Sequence, residues 1–438
     1  MSLVVADTTV PVVVLVLRPS AVQHRALPIA RSAGRLGIAV YGVQADRLGP
    51  DARSRYLRDV EVVAADASAE ECVEVLLRVG RRLGRPLLVP LDDAGTVLVD
   101  DNADVLAECF LFPRRPPGVG RLLASKRELH LLCGRLGIPS PQAVFPEGTD
   151  EAVEQAQELG YPVVAKRIDG WLPSADPRAP SVHIARDPTD LREAFGAMRS
   201  SPLANVMLQE FVPGTPRSVW MFNGYFDERS EALVAFTGRK LRQHPPYSGV
   251  TSLGEAVANE EVDRSMRHLL REVGYGGIVD AGLRFDARDR RYKLLDVNPR
   301  IGATFRLFVG EDGMDVLRAM YLDLTGQQVP PTRQRLGRRW IAEPLDLESS
   351  VRYWRSGELT VRAWARSLGR VEEGAWLARD DPLPALAVIL PLAAAGARRL
   401  MRAARRLARG HRSGPAPPTP GTLQAALIAC SPGICGVW

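Results

Sequence analysis

At 438 residues the chain is long enough for two to three domains, and 46% hydrophobic with 25% charged residues is an ordinary globular composition, which excludes wholesale disorder. The net charge of +6 is local: subtracting the seven arginines between Arg398 and Arg412 leaves −1 for everything else, so the body lacks the basic footprint of a nucleic-acid binder. Five cysteines without paired metal-ligand spacing read as reduced thiols, and the N-terminus lacks the basic region of a signal peptide.

Val12–Leu17, Ile38–Val43, Glu61–Val63, Leu87–Pro90 and Phe110–Phe112 are short β-rich runs separated by helical stretches, the alternation of a parallel sheet. Leu17 is followed by Arg18, Pro19 and Ser20, so the first strand does not lead into the glycine-rich turn of a dinucleotide site. Pro113–Gly120 reads as a linker, and Leu122–Leu136 as a helix stopped by Gly137. Gln142–Phe145, a helix from Asp150 to Leu159, and Pro162–Ala165 repeat the strand and helix rhythm, the last running into Lys166. Val206–Gly214 is a β-rich run closed by Pro213-Gly214. Phe236–Gly249 places Arg239, Lys240 and Arg242 on a strand and its following loop. Arg239 and Lys240 must face opposite sides, so only one of them, with Arg242 or His244, need enter a cleft.

Leu294–Phe308, LLDVNPRIGATFRLF, packs Asp296, Asn298 and Arg300 into one apparent strand. Alternation puts those three on one face and points Leu295 and Val297 into the core. A carboxylate and an amide oxygen are hard ligands suited to Mg2+, which nucleotide sites hold with one or two carboxylates plus substrate phosphates. The arginine beside them could offset charge on a transferring phosphoryl group. The competing reading is a strand ending in an Asn298-Pro299 turn, with solvated charges.

Preceded by Gly274–Lys293, GYGGIVDAGLRFDARDRRYK, this stretch resembles the metal-binding end of the ATP-grasp family: a strand with an acid, a short hairpin, then a second strand reading acid-x-Asn-Pro-Arg. The resemblance covers about Val12–Gly326 and implies an α/β chain. An N-terminal parallel-sheet, pre-ATP-grasp-like domain (1–115) is followed by a two-lobed α+β ATP-grasp domain (116–330). Its small lobe spans about 140–210 and its large lobe about 211–330. A mainly helical region (331–412) and a disordered tail (413–438) complete the expectation.

The same resemblance implies ATP and Mg2+ (or Mn2+) as cofactors. Lys126 and Lys166 would contact nucleotide phosphates; Gln209, Glu210, Phe211 and Val212 would meet the adenine, with Glu210 as the acid. Asp296 and Asn298 would hold the metal, and Arg300 and Lys240 would act on the reacting groups. The plain alternatives are a strand-end Lys166 in solvent, a surface Lys126, and a Glu210 at the edge of a buried strand.

Two departures stand out. The flap expected over Arg167–Ile184 has Gly170 as its one glycine, leaving Arg167 and Ser174 to assist. The acid of the first metal strand should fall four residues before Asp286, at Gly282; Asp280, one pleat back on the same face, is the substitute. A glycine there is also compatible with a single metal or with lost catalysis, and Gly282 could simply leave room for a neighbour.

Pro382–Ala397 is uncharged for 16 residues but contains Pro384 and Pro391, too short and interrupted to span a bilayer. Arg398, Arg402, Arg405 and Arg409 then recur at helical spacing, with Leu400, Ala404 and Leu407 on another face. That suits a helix on an anionic membrane surface or one packed on the body. The expected location is therefore cytoplasmic, with peripheral contact at the inner membrane surface through residues 383–412. The implied activity is an ATP-dependent ligase that activates a carboxylate as an acyl phosphate and couples it to an amine or other nucleophile, both small molecules. The alternatives are a non-catalytic, ATP-binding, membrane-associated partner and an ATP-grasp-type small-molecule kinase.

Overall fold

Four short strands open the chain: β1 (Val12–Val16), β2 (Val40–Gln44), β3 (Leu57–Val62) and β4 (Leu87–Pro90). They pair in parallel in the order β3-β2-β1-β4 in the computed structural model, which describes residues 6–18, 24, 26–47, 49–172, 180–199, 206–391 and 401. Helices cover both faces, which is why β1 reads as an unbroken apolar run. Val12 and Val14 join one core cluster while Val13 and Leu15 join another. The helix Ala69–Leu83 begins at a capping box between Ser68 and Glu71 and stops at Gly84, where φ is 71°. The strand expected at Phe110–Phe112 contracts to one parallel bridge between Leu111 and Leu87.

The helix expected over Leu122–Leu136 is broken. Ser125 is extended (ψ 120°), dividing Val119–Ala124 from Lys126–Leu136 and setting Lys126 at the start of the second piece. An antiparallel sheet follows, β5 (Ala143–Val144), β6 (Val163–Arg167), β7 (Val182–Ala185) and β8 (Val206–Glu210), ordered β5-β8-β6-β7. Val163, Ala165 and Leu208 pack one face against Ala152, Ala156, Leu191 and Phe195 of two helices. Strand alternation therefore turns Lys166 and Gln209 to the other face.

The main sheet contains β9 (Val219–Phe226), β10 (Ala232–His244), β11 (Val250–Ala256), β12 (Gly277–Asp286), β13 (Arg291–Asn298), β14 (Arg339–Ile341) and β15 (Val371–Gly374). Its order is β13-β12-β9-β10-β11-β14-β15. One face lies on the helix Glu260–Glu272 through Phe222, Phe226, Val279 and Leu283. The other continues without a break into the core of the N-terminal sheet, where Met221, Tyr225, Phe236 and Phe308 join Val12, Val14 and Leu27.

The described part of the region after residue 330 is mainly helical, as expected, with the helices Glu343–Arg355 and Val361–Leu368, and it also lends β14 and β15 to the main sheet, burying Trp340 and Trp376. One further feature differs from the sequence expectation. Leu295 does not point into the core. A bulge moves the register from Asp296 opposite Gly282 to Leu294 opposite Leu283, so Leu294 and Val297 are the buried pair. Ser174, the end of the uncharged run (392–397) and, apart from Met401, the arginine-rich segment 398–412 lie outside the described residues, as do 413–438. No helix among the described residues is long and apolar enough to cross a membrane.

Candidate active site

The β12–β13 hairpin sets Asp280 opposite Asn298 and Gly282 opposite Asp296, so all four share the sheet face that looks toward β6 and β8. The Asn298 amide nitrogen lies between two carboxylates, 3.5 Å from Asp280 Oδ2 and 3.4 Å from Asp296 Oδ2. Its Oδ1 accepts from Arg300 Nη2 at 3.1 Å. A Cβ on Gly282 would stand 2.5 Å from Asp296 Oδ1, so the glycine is the room in which that carboxylate sits. Gly302 plays the same part for Asp280, whose Cγ lies 2.5 Å from where a Cβ would be. Burial pushes the Asp280 carboxyl up to about 6; Arg300 and Lys240 oppose the shift and Asp296 adds to it.

Cations converge from two other strands and the start of a helix. Lys166 on β6 donates to Gln209 Oε1 on β8 at 2.7 Å, and burial pulls its ammonium down to about 8, with Asp296 opposing and Lys126 adding. Lys126, at its helix start, donates its backbone N–H to Ile168 O at 3.3 Å, beside the beginning of the flap. Lys240 on β10 donates to Gly249 O at 3.1 Å within the field of Asp296 and Asp280, and burial lowers its pKa. Arg239 and Arg242 do not join it. Arg239 pairs with Glu255 at 2.9 Å on the opposite face, and a bulge after Lys240 turns Arg242 to Asp346 at 2.8 Å.

The hinge residues are placed differently from one another. Val212 is buried. Phe211 lies under the Arg284 guanidinium, 5.7 Å from the ring centre. Glu210 is occupied: its carboxylate accepts from Lys293 Nζ at 2.8 Å, Arg288 Nη2 at 2.9 Å and the Gln142 N–H at 3.2 Å. That carboxylate ties the smaller sheet to the β12–β13 hairpin.

Sequence reasoning missed Asp93, Arg284 and Asn223. Asp93 accepts from Arg300 Nε at 2.7 Å. Its signal was its place just past β4, at the carboxyl end of a parallel strand, where ligands of α/β sheets gather. Arg284 is buried on the same face of β12 as Asp280 and donates to Gly214 O at 2.8 Å. Asn223 of β9 sits opposite Asp280, fully buried, and its Oδ1 has no hydrogen-bond partner among the described residues.

Two carboxylates, Asp280 and Asp296, flank the Asn298 amide with lysines around them, a set whose carboxylates suit a hard divalent cation, while the Asn298 oxygen faces Arg300. Among the described residues no group of three or more His, Cys, Asp or Glu side chains is arranged to hold a metal ion, so such an ion would draw further ligands from a bound phosphate.

No protein-family model matches the chain. It is 22% identical over 289 residues to a D-aspartate ligase from Enterococcus faecium, covering 62% of this chain and 68% of that protein. It is also 22% identical over 275 residues to the C-terminal section of a carbamoyl phosphate synthase large chain from Methanopyrus kandleri, covering 61% of this chain and 47% of that one. Among solved structures, N5-carboxyaminoimidazole synthetase from Staphylococcus aureus complexed with ADP superposes with a TM-score of 0.58 at 12% identity, over 77% of this chain and 83% of that one. The biotin carboxylase domain of 2-oxoglutarate carboxylase from Hydrogenobacter thermophilus, in complex with MgADP, ADP and bicarbonate, gives 0.57 at 13% identity, over 75% and 73%. With the parallel sheet, the two facing sheets and the Asp-x-Asn-Pro-Arg hairpin all present, the chain shares the fold of these solved structures and is similar in sequence to these two relatives.

Proposed function

We propose that the chain is an ATP-dependent ligase that transfers the terminal phosphoryl group of ATP to a small-molecule carboxylate, releasing ADP, and then joins the acyl group to an amine with release of phosphate. The observation that carries the reading is the charge pattern of the cleft. Among the described residues, Lys126, Lys166, Lys240 and Arg284 gather around two carboxylates, Asp280 and Asp296. A triphosphate with its metal would balance that surplus.

In this reading Asp280, Asp296 and Asn298 hold Mg2+ or Mn2+, which when bound supplies charge neutralisation at the phosphate oxygens. Lys166 and Lys126 grip phosphates as point charges, and the main chain from Gln209 to Val212 receives the adenine. Arg300 offsets charge that develops on the moving phosphoryl group, and Lys240 steadies the acidic acceptor. Positioning and electrostatics do the work, because phosphoryl transfer asks for little covalent help from the protein. The relative named a D-aspartate ligase, and the structural neighbour solved with MgADP, support this reading.

An ADP-release screen over amino acids, dipeptides and small carboxylates, each with and without an amine, tests it. The reading expects ADP only when a carboxylate is present, with an amide as product. A stable phosphorylated product without amide would make the chain a kinase, and tight ATP binding with no ADP under any mixture would overturn catalysis altogether.

A further inference from the structure

The helix Asp93–Asp101 of the N-terminal sheet domain reaches the Asn-Pro-Arg turn. Its start is pinned to the end of β1, because Asp92 caps it by accepting from Gly95 N at 2.7 Å and also takes the Leu17 and Arg18 N–H groups at 2.8 and 3.0 Å. Asp93 and Asp100 fall two turns apart on this helix, so they share a face. Both are used on the same turn of the main sheet. Asp100 pairs with Arg115 at 3.0 Å, and Arg115 donates to the Pro299 carbonyl at 3.2 Å. Asp93 takes Arg300 Nε at 2.7 Å. One helix face thus holds the backbone just before Arg300 and the side chain of Arg300 itself.

The Asp93–Arg300 pair differs from the structural ion pairs that weld the domains. Its side chains are 23% and 13% exposed, at the cleft, whereas Arg31 and Asp381 are 2% and 1% exposed. The start of the flap also comes close: a Cβ on Gly170 would lie 3.3 Å from Asp93 Oδ2. By occupying Nε, Asp93 fixes the plane of the guanidinium and directs Nη2 to Asn298 Oδ1 at 3.1 Å. An arginine held at one edge keeps its remaining donors aimed; a free one spreads over many rotamers.

We propose that Asp93 is a positioning residue of the active site, through which the N-terminal domain sets the orientation of Arg300 and, by way of Asn298, of the oxygen cluster. This rests on the reading that the cleft turns over ATP. Asp93 itself touches no reacting atom. The domain that carries the parallel sheet is then a working part of the phosphoryl-transfer site, and whatever shifts its helix retunes Arg300.

The test uses the full chain and the variants Asp93→Asn, Asp93→Glu and Arg300→Ala. Asp93→Asn keeps shape but loses charge, and should lower kcat about tenfold to a hundredfold while KM for ATP moves within about twofold. Asp93→Glu should recover part of the loss. In the Arg300→Ala background, Asp93→Asn should add nothing further. A crystal structure of Asp93→Asn should show Arg300 Nη2 gone from Asn298. Unchanged kcat, a loss of equal size in the Arg300→Ala background, or an Arg300 still seated on Asn298 would each overturn the proposal. Should the wild-type chain release no ADP with any substrate, the proposed activity fails, and the crystallographic position of Arg300 still decides the positioning role.

Discussion

In the seam where residues 371–381 meet the N-terminal domain, buried arginines end on carboxylates; in the cleft, Arg300 meets Asp93 but Lys166, Lys240 and Arg284 end on neutral oxygens. Arg31 pairs with Asp381 at 3.0 Å, Arg338 with Glu373 at 2.6 Å, and Arg306 with Asp315 at 2.5 Å and Glu373 at 2.9 Å. Lys166, Lys240 and Arg284 instead donate to the oxygens of Gln209, Gly249 and Gly214. Both regions bury charge, which is tolerated only where the charge is met. The seam meets it internally and is finished as folded. The cleft leaves positive charge to be met by something that binds, and that contrast separates scaffold from site more cleanly than burial alone.

The largest effect should come from breaking the seam. Asp381 accepts from Arg31 Nε, Ser54 Oγ at 2.7 Å and Arg55 N at 3.0 Å. Asp381→Ala strands a buried guanidinium and should remove about 3–5 kcal/mol of stability in urea denaturation. If that variant unfolded like wild type, the seam would not be a structural weld.

Breaking the cleft should do the reverse. Asp296→Asn keeps the volume and removes a ligand charge, so ADP release should fall by roughly two to three orders of magnitude. The urea midpoint should hardly move, because the folded chain holds Asp296 by the long Asn298 contact of 3.4 Å and not by a buried guanidinium. A stability loss like that of Asp381→Ala would erase the distinction between the two regions.

A smaller change sharpens the view of Gly282. Gly282→Ala brings a methyl to 2.5 Å from Asp296 Oδ1, so the carboxylate must swing aside. Turnover should drop about tenfold, since displacements of about 1 Å at a reacting centre are felt at that scale. Restored or raised turnover would show that the space serves a substrate group instead.

The β12–β13 face was legible in the sequence because its members are neighbours in one strand pair, where a period of two predicts who stands beside whom. Asp280 on the same face as Gly282 follows from the same rule, and so does the parting of Arg239 from Lys240. What the rule misses is a bulge. One extra residue at Leu295 exchanges the buried leucines, and one after Lys240 sends Arg242 to Asp346. Long-range partners were also hidden. Asp93 reaches an arginine 207 positions away, and Glu210 is claimed by Lys293 83 positions on, contacts that no local pattern encodes.

The gentlest test of the seam is pH. Arg306 and Arg338, with Arg35, overcome the penalty of burial and hold Glu373 down to about 2 from an ordinary 4.5. A depressed carboxyl contributes stability above its unfolded value, and that contribution drains as pH falls from about 4.5 toward about 2. Glu373→Gln should flatten this acid limb of the stability curve, and equal limbs for the two proteins would contradict the assignment.

The central claim is that the oxygens of Asp296, Asn298 and Asp280 grip a divalent cation that a nucleotide triphosphate shares. Calorimetric titration of ATP into the full chain, with and without Mg2+, in wild type and Asp296→Asn, measures it directly. Wild type should bind ATP far more tightly when Mg2+ is present, and the variant should lose that dependence. Identical ATP affinity with and without the metal in wild type would contradict it.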